Sequence, residues 1–222
     1  MNVELNASPF QHYPPWHLQG EAFILNYWLT PNFIKQNQNF RIAPSPIGRV
    51  VQVMLVRYQT SPIGPYDELL VLDHPLMSKK RLSSIPKIYV STETSMKHGQ
   101  HFWGIPKQLA EFEWVITEDK VYCHVSFDQQ DMRLCLQKYK RSPAFYINSH
   151  HLPATLLNIQ QSWQGLRYQF SPQFRGQLCK LKQATWENTL DIFPDFSQSK
   201  YLPSFYVPEF KLTLPEAKIE KK

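Results

Sequence analysis

Proline is the residue type that most restricts how this chain can fold, since its 222 residues include 18 prolines but only seven glycines. Proline has no backbone N–H and disrupts the interior of a helix, so long helices are not expected. Between the prolines lie many segments of aromatic and β-branched residues, which are typical of strands. The sequence therefore predicts a mainly β protein of the α+β class, with short, stiff connections.

Ten segments have the composition of strands, and a turn at Glu118 and Asp119 separates two of them, which favours an antiparallel sheet or barrel. The predicted strands are Glu21–Leu29, Gly48–Tyr58, Glu68–Asp73, Lys87–Ser91, Ala110–Thr117, Lys120–Phe127, Met132–Gln137, Leu166–Phe170, Gly176–Trp186 and Lys211–Leu214. Short helices are predicted from Thr30 or Pro31 to about Gln38, from Ser91 or Thr92 to about Phe102, and over Ala154–Trp163.

Length and composition suit one compact domain over residues 1–222, and residues 215–222 are expected to form a flexible tail. No apolar run approaches the roughly 18 residues of a membrane span, and the first residues lack the pattern of a signal peptide. We therefore expect a cytoplasmic protein without membrane contact. The net charge of +6 is scattered along the chain, so nucleic-acid binding is not expected. The widely spaced Cys123, Cys135 and Cys179 are expected to stay reduced.

Lys107 is the residue that most clearly suggests chemistry. It follows Gly104-Ile105-Pro106, within an apolar and aromatic run from His101 to Phe112. An amine in apolar surroundings is pushed toward its neutral form, and a neutral amine can attack a carbonyl to form a Schiff base. We expect Gly104 and Pro106 to turn the lysine inward. The alternative is a surface lysine in a turn.

Two longer stretches accompany this lysine, Gly64–Val71, which contains Tyr66-Asp67-Glu68, and Ile88–Ala110, which contains Pro106-Lys107. Together they resemble the acetoacetate decarboxylase superfamily. In that family a Tyr-x-Glu strand and a later strand-helix-Pro-Lys segment meet in a pocket, where the lysine forms a Schiff base with a β-keto acid. The resemblance implies a cone-like, closed, antiparallel β-barrel with a few short helices.

The resemblance also implies the roles of individual residues. Lys107 takes the Schiff-base position and Glu68 the position of the pocket carboxylate, so these two are the candidate catalytic residues. Acetoacetate decarboxylase is itself a known example of a lysine activated by its surroundings, and this mechanism is taken over from the family. The candidates for substrate binding are Tyr66, Phe102, Trp103, Ile105 and Gln108.

The chain departs from the family pattern at three positions, and one of them is Val53, which stands on the strand before Glu68 where the decarboxylases carry a further acid. Gln108 stands where the decarboxylases carry a second lysine, and Gly20 or Glu21 stands where they carry an arginine that holds the substrate carboxylate. Some members that resemble this chain catalyse aldol condensation and dehydration of keto acids. Three functions therefore stay open: a decarboxylase-like lyase acting on a small keto acid or ketone, a Schiff-base aldolase or dehydratase, and a non-catalytic binding protein for a hydrophobic or carbonyl ligand.

No cofactor and no metal are expected, because Schiff-base chemistry needs a lysine, an acid or base and a shaped pocket. His98 and His101 lie three residues apart on a predicted helix, but no further ligand accompanies them, so they are interpreted as surface or hydrogen-bonded histidines. Glu111 and Glu113 alternate with aromatic residues and are expected to face solvent. The expected partner is a small carbonyl or keto acid substrate, and the resemblance also indicates a homo-oligomer.

Overall fold

The computed structural model describes residues 10–74, 82–152, 157–187, 189 and 192–221. These residues form strands β1 (Trp16–Leu29), β2 (Arg49–Thr60), β3 (Tyr66–Asp73), β4 (Ser84–Val90), β5 (Lys107–Leu109), β6 (Glu111–Ile116), β7 (Lys120–Phe127), β8 (Gln130–Lys138), β9 (Ala144–Asn148), β10 (Ile159–Trp163), β11 (Leu166–Phe170), β12 (Gln173–Glu187), β13 (Lys200–Leu214) and β14 (Lys218–Lys221), and helices α1 (Pro31–Gln36) and α2 (Glu93–Trp103). The predicted mainly β class is confirmed. No helix in these ranges is long and apolar enough to cross a membrane.

Eleven of the strands form one sheet, in the order β5-β4-β3-β2-β1-β13-β12-β8-β7-β6, with β9 paired to β12. β4 and β5 run parallel, whereas the other neighbours are antiparallel. The two end strands, β5 and β6, are consecutive in the chain and are joined through Ala110. Within the described ranges no ladder of hydrogen bonds connects these two ends, so the expected closed barrel is not confirmed.

A second sheet has three strands in the order β10-β11-β14. Its last strand belongs to the segment that was expected to be a flexible tail, and that expectation is wrong as far as Lys221, since β14 pairs with β11. Ala217 before it is buried, and the carbonyl oxygen of Pro215 accepts a hydrogen bond from Nε1 of Trp103 at 2.6 Å. The sequence did not predict this strand, because the side chains of β14 are exposed and backbone pairing holds it in place.

Two further elements differ from the prediction. β13 begins eleven residues before the predicted Lys211, because Pro203 and Pro208 interrupt the strand pattern; both prolines lie at register shifts against β1, where a missing N–H is tolerated. The predicted helix Ala154–Trp163 is wrong over Ile159–Trp163, which is β10, and its residues 154–156 lie outside the described part. Ile159 and Gln161 are both buried, and this period of two is typical of a strand.

An apolar cluster lies on each face of the large sheet. Leu69 and Tyr89 belong to one cluster, whereas their neighbours Leu70 and Val90 belong to the other, because side chains alternate along a strand. The second cluster also contains Trp103 from the end of α2. Helix α2 and the small sheet therefore cover this second face, which also carries the candidate catalytic residues.

Candidate active site

The turn after α2 places Lys107. Thr92 caps the start of the helix by accepting a hydrogen bond from the N–H of Ser95 at 3.3 Å, and Gly104 ends it with a φ of 60°. This left-handed conformation favours glycine, and a Cβ at Gly104 would lie 2.4 Å from the ring of Tyr168. The chain then enters β5 at Lys107, beside β4.

The Lys107 side chain ends in a buried polar contact. Its Nζ donates hydrogen bonds to Oε2 of Glu68 at 2.8 Å and to Oγ of Ser95 at 3.0 Å. Lys107 and Glu68 are each 5% exposed and Ser95 is fully buried. The ring centroid of Tyr66 lies 5.2 Å from Nζ. Lys107 is therefore not a surface lysine, and its closest polar partner is the carboxylate of Glu68.

Two tyrosines flank the carboxylate of Glu68. The hydroxyl of Tyr58 donates to Oε1 of Glu68 at 3.3 Å, and the rings of Tyr58 and Tyr66 lie 4.6 Å apart as partners in the β2–β3 ladder. Burial, and then the charge of Glu68, raise the pKa of both tyrosines well above the ordinary value. Both hydroxyls are therefore protonated at neutral pH and available as hydrogen-bond donors beside the lysine.

Gly99 gives the lysine its space. A Cβ at this position would lie 2.5 Å from Cδ of Lys107, so the aliphatic part of the lysine occupies the volume that a larger residue would fill. Ser95 and Gly99 are four apart on α2 and thus share one helix face. From the next position, Nε2 of Gln100 donates to the carbonyl oxygen of Lys107 at 2.8 Å. Helix α2 therefore holds both the side chain and the backbone of Lys107.

The predicted substrate-binding residues are distributed unevenly around this pair. Tyr66 lies directly beside Lys107. Trp103 and Ile105 are buried in the apolar cluster that also contains Tyr66. Phe102 is half-buried and packs against Phe10 and His101, with ring centroids 5.4 and 4.8 Å away.

Gln108 lies on the other face of the sheet, because it follows Lys107 directly in β5. Its Oε1 accepts a hydrogen bond from Nζ of Lys87 at 2.7 Å, and that amine lies 4.5 Å from the ring centroid of Tyr89. Burial, and then the charge of Arg41, lower the pKa of Lys87 to about 8. The structure thus separates Gln108 from the other candidates and shows a second partly desolvated lysine beside it.

Neither Gly20 nor Glu21, one of which stands where the resemblance implies an arginine, supplies a cation to the Lys107–Glu68 pair. Gly20 pairs with Tyr58 in the ladder, and a Cβ there would lie 2.0 Å from the carbonyl oxygen of Arg57, so the backbone leaves no room for a side chain. Glu21 contacts Arg57 at 3.0 Å and the hydroxyl of Tyr206 at 3.0 Å, among groups that pack on the opposite apolar cluster.

Sequence reasoning missed three residues of this site. Tyr58 was assigned only to a strand, although a hairpin register between the two strands would have paired it with Tyr66. Ser95 and Gly99 carry no chemical signal of their own, and only their spacing of four on a helix next to Lys107 points to a shared face.

Glu111 and Glu113 are exposed, as predicted.

Metal-ligating groups and surface clefts were compared with the position of Lys107 and Glu68. In the ranges that the structure covers, no group of three or more His, Cys, Asp or Glu side chains is placed to hold a metal ion. Two surface clefts of about 440 and about 320 Å³ lie elsewhere, and neither is lined by Lys107 or Glu68. The groups that the structure brings together at Lys107 are its amine, the carboxylate of Glu68 and the hydroxyls of Ser95 and Tyr58.

Comparison with known proteins gives a consistent family and fold. The sequence model of the acetoacetate decarboxylase (ADC) family matches residues 3–140. No curated protein matches the chain. The crystal structure of acetoacetate decarboxylase from Legionella pneumophila is 15% identical over 98% of this chain and 92% of that chain, with a TM-score of 0.65.

Two other solved structures are similar to this chain. The enduracididine biosynthesis enzyme MppR complexed with pyruvate is 15% identical over 99% of this chain and 97% of that chain, with a TM-score of 0.62. An acetoacetate decarboxylase-like enzyme from Sphingomonas wittichii RW1 is 11% identical over 100% of both chains, with a TM-score of 0.63. At such low identity, these likenesses describe the fold.

Proposed function

This chain belongs to the acetoacetate decarboxylase family, and we propose that it is an enzyme that forms a Schiff base between Lys107 and a small keto acid or ketone. The observation that carries the proposal is the buried contact of 2.8 Å between Nζ of Lys107 and Oε2 of Glu68. A lysine that only stabilised the fold would not need an apolar site, a proton acceptor and neighbouring hydroxyl donors together.

The first chemical step is formation of the imine. Glu68 takes a proton from Nζ of Lys107, and the neutral amine attacks the carbonyl carbon of the substrate. The proton on Glu68 then passes to the hydroxyl group of the adduct, which leaves as water when the C=N bond forms. Ser95, at 3.0 Å from Nζ, keeps the amine oriented during the attack.

The second step uses the protonated imine as an electron sink. When the bond between the α-carbon and a β-carboxylate breaks, its electron pair moves toward the imine nitrogen and carbon dioxide leaves. When a C–H bond on the α-carbon breaks instead, the same electron movement gives an enamine, which can attack an aldehyde. The first route makes the protein a decarboxylase, and the second makes it an aldolase or dehydratase.

A specific observation favours the second route as the alternative function. Decarboxylation of a β-keto acid benefits from a cation that holds the carboxylate, but Gly20 has no room for a side chain and Glu21 is already bound to Arg57. MppR has been solved with pyruvate and with the condensation product of pyruvate and imidazole 4-carboxaldehyde. We therefore propose pyruvate and related keto acids as the first substrates to test.

The test is an activity assay with two readouts, release of carbon dioxide from β-keto acids and condensation of pyruvate with aldehydes. Lys107→Arg keeps the positive charge opposite Glu68 but cannot form the imine, so we expect activity to fall at least about a thousandfold. Lys97→Arg is the matched control, because Lys97 is exposed on α2 and pairs with Glu93. Activity retained in Lys107→Arg would refute the proposal.

A further inference from the structure

His98 on α2 has an unusual hydrogen-bonding state. It is buried, at 5% exposure, and its Nδ1 lies 2.8 Å from the carbonyl oxygen of Thr94. A carbonyl oxygen only accepts hydrogen bonds, so Nδ1 carries the hydrogen, and in the neutral ring Nε2 is an acceptor with a free lone pair. Nε2 is buried and has no hydrogen-bond partner among the described residues. The sequence predicted a surface or hydrogen-bonded histidine, whereas Nε2 of His98 is buried and unpaired among the described residues.

The surroundings of His98 are aromatic. The ring centroids of Phe10, Trp16 and Phe102 lie 5.0, 5.5 and 5.9 Å from the imidazole centroid. The rings of Phe10 and Phe102 carry no hydrogen-bond donor, and Nε1 of Trp16 already donates to the carbonyl oxygen of His12, whose own ring centroid lies 6.2 Å from that of His98. A buried acceptor left without a partner is rare in folded proteins, and a catalytic role is one of the explanations for such a group.

The position of His98 on the helix brings it to the Lys107 site. Ser95, His98 and Gly99 occupy positions i, i+3 and i+4 of α2, so they share one face. Ser95 bonds to Nζ of Lys107, and Gly99 contacts the aliphatic part of the same side chain. His98 therefore lies on the helix face that covers the lysine, near enough for the charge of Lys107 to lower the pKa of its ring.

Charge and burial keep the imidazole neutral. Burial lowers the pKa of His98 most; the hydrogen bond to the backbone of Thr94 opposes this effect, whereas His12, His101 and Lys107 add to it. The ring is therefore unprotonated at neutral pH, and Nε2 is free to take up a proton.

We propose that His98 is the base that removes a proton from the carbon next to the imine formed on Lys107. The C–H bond breaks, its electron pair forms a C=C bond, and the electrons of the C=N bond move onto the nitrogen. The proton goes to Nε2 of His98, which becomes an imidazolium ion. No oxidant, reductant or metal is needed for this step, and its product is a neutral enamine.

This inference rests on the proposed Schiff base and adds to it the kind of reaction. An enzyme with a base at this position works through an enamine, so its substrates are carbonyl compounds that carry a hydrogen on the α-carbon. The imidazolium ion can then return its proton to the α-carbon, or to a hydroxyl group that leaves as water. The aldolase or dehydratase route is thus favoured over decarboxylation.

The test measures exchange of the methyl protons of pyruvate, and separately of acetone, for deuterium in D2O by NMR. We expect the unaltered protein to catalyse exchange and His98→Gln to slow it at least tenfold, while borohydride still traps the carbonyl compound on Lys107 to the same extent. His101→Gln is the matched control on the same helix, and it should leave both readouts unchanged. The exchange rate of the unaltered protein should also fall at low pH as His98 takes up a proton.

The possible outcomes separate the two proposals. Exchange at the unaltered rate in His98→Gln, with the adduct still formed, would overturn the role of His98 and leave the Schiff base intact. No adduct on Lys107 with either compound would overturn both. His98→Ala gives a second test, because free imidazole should restore its exchange if the missing group is a base. Loss of adduct and exchange together in both variants, without rescue, would make His98 structural and overturn its role as a base.

Discussion

Nζ of Lys107 lies 2.8 Å from Oε2 of Glu68 although the two residues are 39 positions apart in the chain. They come from β5 and β3, which are separated in the sheet by β4. Both side chains are almost completely withdrawn from solvent. Taking two charges out of water is costly, so removing either charged partner would leave the other buried and uncompensated and would destabilise the fold.

The first prediction concerns this mutual dependence. Glu68→Leu leaves the amine of Lys107 buried without its partner, and we expect the free energy of unfolding to fall by about 3–5 kcal/mol. The double variant Glu68→Leu/Lys107→Met removes both charges and should be more stable than Glu68→Leu alone. Urea denaturation measures both, with Glu111→Gln as an exposed control that changes stability by less than about 0.5 kcal/mol. A double variant less stable than Glu68→Leu would contradict the ion pair.

The second prediction concerns the space at Gly99. The Cβ of Gly99→Ala would lie 2.5 Å from Cδ of Lys107, so the lysine must move away from Glu68 and Ser95. We expect borohydride trapping on Lys107 to slow by about tenfold or more, as a displaced reacting group would cause. Lys97→Ala, on the exposed side of the same helix, should trap at the unaltered rate. An unchanged rate of trapping in Gly99→Ala would show that Lys107 does not need the space beside Gly99.

The third prediction concerns the turn that directs Lys107. Gly104→Ala forces a left-handed conformation on alanine, which costs about 1–2 kcal/mol, and its Cβ would also clash with Tyr168 at 2.4 Å. Gly165→Ala is a matched control, because Gly165 has a φ of 77° but no atom within 4 Å of the added Cβ. Thermal denaturation should therefore show a larger loss for Gly104→Ala. Equal losses would mean that the contact with Tyr168 is unimportant.

The fourth prediction is the pH dependence of stability caused by His98. Its pKa in the folded protein lies below the ordinary value of 6.5, chiefly because of burial. Between these two values the unfolded chain binds a proton that the folded protein does not, so the free energy of unfolding decreases as the pH falls below about 6.5. Denaturation from pH 7.5 to 5 should show this decrease, and His98→Gln should reduce it. An identical pH dependence in both proteins would contradict the burial of a neutral ring.

Local signals predicted much of the fold. Strand-like segments bounded by turns gave most of the antiparallel strands, and the candidate cap at Ser91 or Thr92 marked the start of α2. Non-local features were missed. The four side chains of β14 are all exposed and only Ile219 is apolar, whereas β13 contains prolines whose tolerance depends on register shifts against β1. Neither fact can be read from the segments alone, because both depend on the partner strand.

The candidate site shows the same division. Lys107 was singled out by its apolar surroundings, and its pairing with Glu68 came from a resemblance carried by two segments of sequence. The close approach of Gly99 to Lys107 depends on how α2 packs on β5, and no sequence motif predicts this packing. Gln108 was grouped with Lys107 because Lys107–Leu109 was not predicted as a strand, in which adjacent side chains point to opposite faces.

Borohydride trapping with a panel of keto acids and ketones, followed by peptide mapping, is the most direct test of Schiff-base formation on Lys107. Reduction fixes an imine as a stable amine on the lysine that formed it. We expect an adduct on Lys107 and none at that position in Lys107→Arg. Lys87, on the opposite face of the sheet, is an internal comparison. Its pKa is lowered to about 8, so a larger fraction of its amine is neutral and able to react than in an ordinary lysine. An adduct on Lys87 with none on Lys107, or no adduct with any compound, would contradict Schiff-base formation on Lys107.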